Sequence, residues 1–149
     1  MRVYHLLNLA HASLFKATNR VLRQDEGVSA IQSAVLFILM SDDGQPASHI
    51  ARELKMEKSS LTTLIDRMVK LNLVRREKCA TDGRVSNVFI SDAGKSIASR
   101  VAKSTYQANK LLLRPFSRSD QKVIEQFLKH ISDNSEKIIQ SISANDVKQ

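Results

Sequence analysis

The sequence contains little cysteine, proline and glycine and no tryptophan, and these shortages narrow the possible protein classes. One cysteine in 149 residues, Cys79, excludes an internal disulfide framework and a cysteine-rich zinc site. With only two prolines and four glycines, most of the chain keeps a helical period. No apolar run approaches the ~20 residues of a membrane-spanning helix, and residues 1–5 do not open a signal peptide. We therefore expect a cytoplasmic protein of one domain or two small ones.

Positive charge is in excess and is unevenly distributed. The chain has 23 Lys and Arg residues against 15 Asp and Glu residues, which gives a formal net charge of +8. Residues 25–51 carry no basic side chain, whereas residues 52–84 carry nine basic and five acidic side chains. An excess of this kind favours nucleic acid, an acidic protein or an anionic surface as the partner.

Several segments carry the hydrophobic spacing of amphipathic helices. The first 24 residues contain an apolar stripe formed by Val3, Leu7, Ala10, Leu14, Ala17 and Val21. A capping box at Ser29 and Gln32 precedes an almost entirely apolar helix, and residues 41–46 have the composition of a loop. Ser91 starts a long helix that Pro115 ends, and a second capping box follows at Ser117 and Asp120. The last helix repeats the apolar stripe at Ile124, Phe127, Ile131, Ile138 and Ile142.

The middle of the chain predicts a helix-turn-helix followed by a β-hairpin. A short helix at residues 48–54 and a turn at 55–57 lead into a longer helix that ends near Leu71, which we call the recognition helix. Its inward-facing residues are predicted to be Leu61, Leu64, Ile65, Met68 and Leu71. Residues 74–78 and 85–90 predict two strands that an Asp-Gly turn connects, and we call this hairpin the wing.

The outward face of the recognition helix carries side chains suited to duplex DNA. Serine and threonine hydroxyls bond to phosphates or base edges, while lysine and arginine supply charge and guanine recognition. The predicted contacts on the helix are Lys58, Ser59, Ser60, Thr62, Thr63 and Arg67. Because any surface helix has a polar face, the basic wing with Arg75, Arg76, Lys78 and Arg84 is the feature that favours DNA.

The chain resembles the MarR family of bacterial winged-helix transcription regulators over roughly residues 1–140. The resemblance is carried by residues 50–54, 59–68 and 73–76, by the Asp-x-Arg motif at residues 82–84 and by residues 91–95. It implies that Arg84 enters the minor groove and that Asp82 helps fix the wing. It also implies a homodimer in which the terminal helices of two chains interlock, and a small-molecule effector. Asn72 stands where the family often has glycine, and asparagine tolerates the left-handed conformation.

The predicted fold is mainly α with a small β-hairpin wing. By role, residues 1–28 form an N-terminal dimerisation helix, residues 29–91 the winged helix-turn-helix lobe, and residues 92–149 a long helix and a second dimerisation helix. The predicted function is a sequence-specific, double-stranded DNA-binding regulator of the MarR type that acts as a repressor on a palindromic operator. The alternatives are a winged-helix protein-interaction module without DNA readout and a helical protein on anionic membranes.

No enzymatic or cofactor motif is present, so we expect neither catalysis nor a cofactor. The four histidines lack the spacing of metal ligands, and no metal is expected. His11 is a candidate ligand-binding residue, because the resemblance places it near where family members hold small molecules. Cys79 is either a redox-sensitive thiol or an inert exposed one, and Asp66 either orients an arginine in the DNA surface or balances charge.

Overall fold

The computed structural model of the protein describes residues 2–78 and 86–146, with side chains described up to Ser141. The described elements, in chain order, are α1 (Val3–Asp25), α2 (Ala30–Ser41), β1 (Gln45–Pro46), α3 (Ala47–Glu53), α4 (Lys58–Lys70), β2 (Val74–Lys78), β3 (Ser86–Ile90), α5 (Asp92–Leu113) and α6 (Arg118–Asp146). The predicted mainly helical fold with a small antiparallel sheet is confirmed, and the recognition helix is α4.

Local sequence features set the helix boundaries. The Ser29 hydroxyl accepts the backbone N–H of Gln32 at 3.2 Å, and the Gln32 side-chain oxygen accepts the backbone N–H of Ser29 at 2.8 Å. The predicted capping box at the start of α2 is therefore present in both halves. Left-handed backbone at Gly27, with φ of 69°, follows α1, and Asn72 adopts φ of 55° after α4. The conformation of Asn72 matches the one expected for it from the sequence.

The sheet has three strands rather than the two of a hairpin. Strands β2 and β3 pair antiparallel as predicted, with Val74 opposite Ile90. The prediction of a loop through Gln45 and Pro46 was wrong, because these two residues form β1 at the other edge of β3. Proline is compatible with an edge strand, since its missing N–H removes no ladder bond there.

The hydrophobic core lies where α2, α3, α4 and the sheet meet. Its fully buried side chains include Leu36, Leu39, Ile50, Ile65 and Val88. Burying a side chain of this size contributes about 1.5–3 kcal/mol, so these residues fix α4 against the rest of the lobe. The inward placement predicted for Leu71 was wrong, since its side chain is 54% exposed. Leu71 lies after the last residue of α4, where the helical period no longer applies.

Helix α5 begins in close contact with the start of the wing. The Ser91 hydroxyl accepts the backbone N–H of Gly94 at 3.0 Å, as its predicted capping role requires, and donates to the Asn72 carbonyl at 2.6 Å. The Ser91 backbone N–H donates to the Leu73 carbonyl at 3.0 Å. Farther along α5, a hydrogen bond from the Arg100 guanidinium to Glu26 raises the pKa of Arg100 and connects α5 to the end of α1.

The chain divides into two compact units, Met1–Thr105 and Tyr106–Gln149. The three-part division by role stays a prediction. In the first unit the apolar stripe of α1 is largely uncovered, with Leu14 50% exposed. In the second unit, exposed hydrophobic residues of α6 include Phe127 and Ile138, while Ile142 lies outside the described side chains. Within the described ranges, none of the helices has the length and apolar content needed to cross a membrane.

Candidate nucleic-acid interface

Packing of α4 against the core leaves one face of the helix open to solvent. Leu61, Ile65 and Met68 are buried on the inner side of the helix. The six residues predicted to contact DNA from this helix are all exposed: Lys58, Ser59, Ser60, Thr62, Thr63 and Arg67. The structure therefore presents them together, on a helix whose orientation is held by its buried side.

Two hydroxyls on this face are held in place by the helix itself. The Thr62 hydroxyl donates to the Lys58 carbonyl at 2.9 Å, and the Thr63 hydroxyl donates to the Ser59 carbonyl at 3.2 Å. Each hydroxyl oxygen keeps lone pairs that can accept a hydrogen bond from a base amino group. The arrangement offers acceptors from threonine and donors from Lys58 and Arg67 within about three turns of one helix.

The wing places further cations beside this helix. The Arg75 guanidinium lies 4.8 Å from the centre of the Phe89 ring, and its Nε is 2.8 Å from a Glu77 carboxylate oxygen. The Arg75 side chain remains 56% exposed, and Lys78 is also exposed. The Arg75 guanidinium is therefore accessible to a phosphate, although it already pairs with Glu77 of the same chain. The predicted wing-tip residues Asp82 and Arg84, together with Cys79, lie outside the described residues.

Arg76 differs from the other wing cations, and the sequence alone did not reveal this. Its Nη1 is 2.9 Å from Asp66 Oδ1, and its Nη2 donates to the Thr62 carbonyl at 3.1 Å. Asp66 therefore orients Arg76 and not its sequence neighbour Arg67. The alternation of side chains along a strand could have indicated this difference, because it places Arg76 on the same face of β2 as the buried Val74.

A cavity of about 650 Å³ lies between α1, the start of α2 and α4. Its walls combine the apolar Phe15 and Leu64 with the cationic Arg23, Arg67 and Lys70, and among the described residues no carboxylate lines it. Arg67 thus borders both the cavity and the exposed face of α4. His11 stacks on Phe15 with ring centres 5.7 Å apart and is outside the cavity wall. In the part of the chain that the structure describes, no group of three or more His, Cys, Asp or Glu residues could hold a metal ion.

The sequence of the winged lobe matches a known family. Residues 26–85 match the MarR family. The matched segment spans α2, α3, the recognition helix and β2, and its sequence includes Asp82 and Arg84. No curated protein matches the chain.

Solved structures share the fold of nearly the whole chain. Sco3205, a MarR family transcriptional regulator from Streptomyces coelicolor in complex with DNA, is 21% identical, with a TM-score of 0.82 over 89% of this chain and 84% of that one. The S. aureus MepR–DNA complex is 16% identical, with a TM-score of 0.82 over 90% and 98%. PcaV from Streptomyces coelicolor with its natural ligand is 20% identical, with a TM-score of 0.75 over 89% and 91%. At these identities the likeness establishes the fold.

Proposed function

We propose that the protein is a sequence-specific regulator of transcription that binds double-stranded DNA through α4 and the wing. The observation that carries this proposal is the exposed hydroxyl and cationic face of α4, flanked by the cations of β2 within the segment that matches the MarR family. The Sco3205 and MepR structures, which share this fold, are both complexes with DNA. The protein acts as a non-enzymatic repressor in the cytoplasm. The contacts are those predicted for α4, together with Arg75, Lys78, Asp82 and Arg84.

A gel-shift experiment tests the proposal directly. The probe is the DNA upstream of the protein's own gene, in the presence of excess unrelated duplex. We expect a retarded complex that Arg67→Ala weakens. Lys103→Ala removes an equal charge from the exposed surface of α5 and serves as the matched control, with binding retained. Absence of a specific complex would favour the alternative, a winged-helix module that contacts another protein.

We further propose that the functional unit is a homodimer on a palindromic operator. The support is the uncovered apolar stripe of α1 and, separately, the exposed Phe127, Leu128 and Ile138 of α6. Apolar patches of this extent on a soluble protein usually mark an interface. A two-fold axis would present two recognition helices to half-sites about one helical turn, ~34–36 Å, apart.

The effector of this regulator is proposed to be a small organic anion held in the cavity beside α4. Among the described residues, three cations and no carboxylate line the cavity, while Phe15 and Leu64 supply apolar contact. A panel of aliphatic and aromatic carboxylates, scored by thermal stabilisation of the protein, tests this assignment. Binding to the wild type that Arg23→Ala abolishes would support it. Equal stabilisation of both proteins would contradict it. The role of His11, beside Phe15, is tested by His11→Ala on the same panel.

A further inference from the structure

We propose that Arg76 and Asp66 are positioning residues that hold the wing against the recognition helix so that both elements meet DNA in one register. This inference rests on the proposed DNA-binding function. It concerns how that surface is kept rigid and assigns neither residue to direct contact with DNA. The pair connects two elements that the chain separates by the turn after α4.

The contacts of Arg76 restrain the orientation of α4 as well as its distance from β2. Arg76 bonds to Asp66 and to the Thr62 carbonyl, and these two residues lie four positions apart, about one turn of α4. A guanidinium is planar and presents its N–H groups in a rigid fork. A fork that grips two points one turn apart restrains both the rotation of α4 about its axis and its separation from β2.

The Arg76 guanidinium is occupied by its bonds to Asp66 and the Thr62 carbonyl and is not directed at DNA. Opposite it in the sheet is the fully buried Val88, and the Arg76 side chain is only 30% exposed. Its Nε is buried without a hydrogen-bond partner, a cost that persists only if the other contacts of the guanidinium outweigh it. The neighbouring Arg75 lies on the opposite face of the strand and is 56% exposed. Two adjacent arginines therefore have different roles.

Removal of the Asp66 carboxylate distinguishes a positioning role from a purely electrostatic one, because the two roles change DNA affinity in opposite directions. Its side chain is 54% exposed on a helix that would approach phosphates, so its negative charge opposes DNA binding. If charge were its only effect, removing the carboxylate would strengthen binding. If Asp66 positions Arg76, removing the carboxylate weakens binding although a repulsion has been lost. The two accounts thus predict changes of opposite direction.

The experiment compares Asp66→Ala with Glu57→Ala. Glu57 precedes α4, is exposed, and makes no side-chain capping bond, so its variant removes an equal charge near the same helix. Each full-length protein is titrated against the best duplex that the wild type selects from a randomised library, and against an unrelated duplex. We expect Asp66→Ala to weaken binding to the selected duplex about tenfold, the size of one coupled contact, without weakening binding to the unrelated duplex. We expect Glu57→Ala to strengthen both about twofold.

Arg76→Lys provides an independent second variant. It keeps the charge but replaces the planar fork by a single ammonium, which cannot hold Asp66 and the Thr62 carbonyl in the same geometry. We expect the same selective loss as for Asp66→Ala, an unchanged salt dependence, and no additional loss when the two changes are combined.

Three results would overturn the positioning role. Asp66→Ala could strengthen binding as Glu57→Ala does, Arg76→Lys could bind the selected duplex like the wild type, or either variant could fail to fold, which would make the pair a general structural contact. If the protein did not bind DNA specifically, the result would differ from all three, because the wild type and Glu57→Ala would then select no duplex at all.

Discussion

Replacing Gly94 by alanine tests the close approach of α5 to the start of the wing. A Cβ atom at Gly94 would lie 2.2 Å from the Leu73 carbonyl oxygen and 2.9 Å from Cγ1 of Ile90. The nearer obstacle is backbone, so a side-chain rotation cannot relieve the clash. The Leu73 carbonyl also accepts the Ser91 N–H at 3.0 Å, and a shift large enough to admit the methyl group would strain that bond.

The expected cost follows from two unfavourable contributions and one favourable one. Overpacking of a tight interior site costs about 1–3 kcal/mol. Loss of one backbone hydrogen bond adds about 1 kcal/mol, and the higher helix propensity of alanine returns about 1 kcal/mol. We therefore expect Gly94→Ala to lower the free energy of unfolding by about 1–3 kcal/mol, a considerable part of the 5–15 kcal/mol typical of a domain.

Urea unfolding followed by far-ultraviolet circular dichroism, at one fixed protein concentration, measures this cost. Gly27→Ala is the control, because nothing lies within 4 Å of the added methyl group and only the left-handed backbone opposes it. That variant should lose about 1 kcal/mol. A Gly94→Ala protein as stable as the wild type, or more stable, would contradict the predicted clash, because it would mean that helix propensity outweighs the contact with Leu73.

Four further predictions concern the DNA surface and the dimer. Arg75→Ala should weaken binding to all duplexes and lower by about one unit the slope of the logarithm of affinity against the logarithm of salt concentration. An unchanged slope would exclude a phosphate contact. Glu77→Gln should strengthen binding, because it frees Arg75 from its acidic partner. Substituting Thr63 or Arg67 should change the preferred sequence in a randomised-site selection, and an identical motif would exclude α4 as the reader. Leu14→Glu should dissociate or unfold the protein and abolish operator binding, because burial of a charge costs several kcal/mol. Sedimentation equilibrium measures the dissociation, and a variant that stays dimeric would contradict the proposed dimer interface.

Features that depend on neighbouring residues could be predicted from the sequence. Both capping boxes and the buried side of α4 follow from spacings of three or four residues along one helix. The left-handed Asn72 follows from the resemblance, since asparagine stands where the family often has glycine and tolerates that conformation. The exposed face of α4 could be predicted for the same reason, since a helix that buries Leu61 and Ile65 must turn Thr62 and Arg67 outward.

Features that depend on distant pairing could not be predicted in the same way. Strand β1 has two residues and exists only because Gln45 pairs with Val88, far along the chain. The bond from Arg76 to Asp66 likewise needs β2 to lie beside α4, which the local pattern of four basic wing residues does not reveal. The error at Leu71 has a third cause, because its helical spacing continues one residue beyond the end of the helix itself.

Selection of duplex DNA from a randomised library by the full-length protein shows whether two copies of the chain together bind a palindromic DNA site. We expect enrichment of a two-fold symmetric sequence, with half-sites about one helical turn apart, bound by two copies of the chain. Enrichment of no sequence, or of an asymmetric site bound by a single copy, would contradict this expectation.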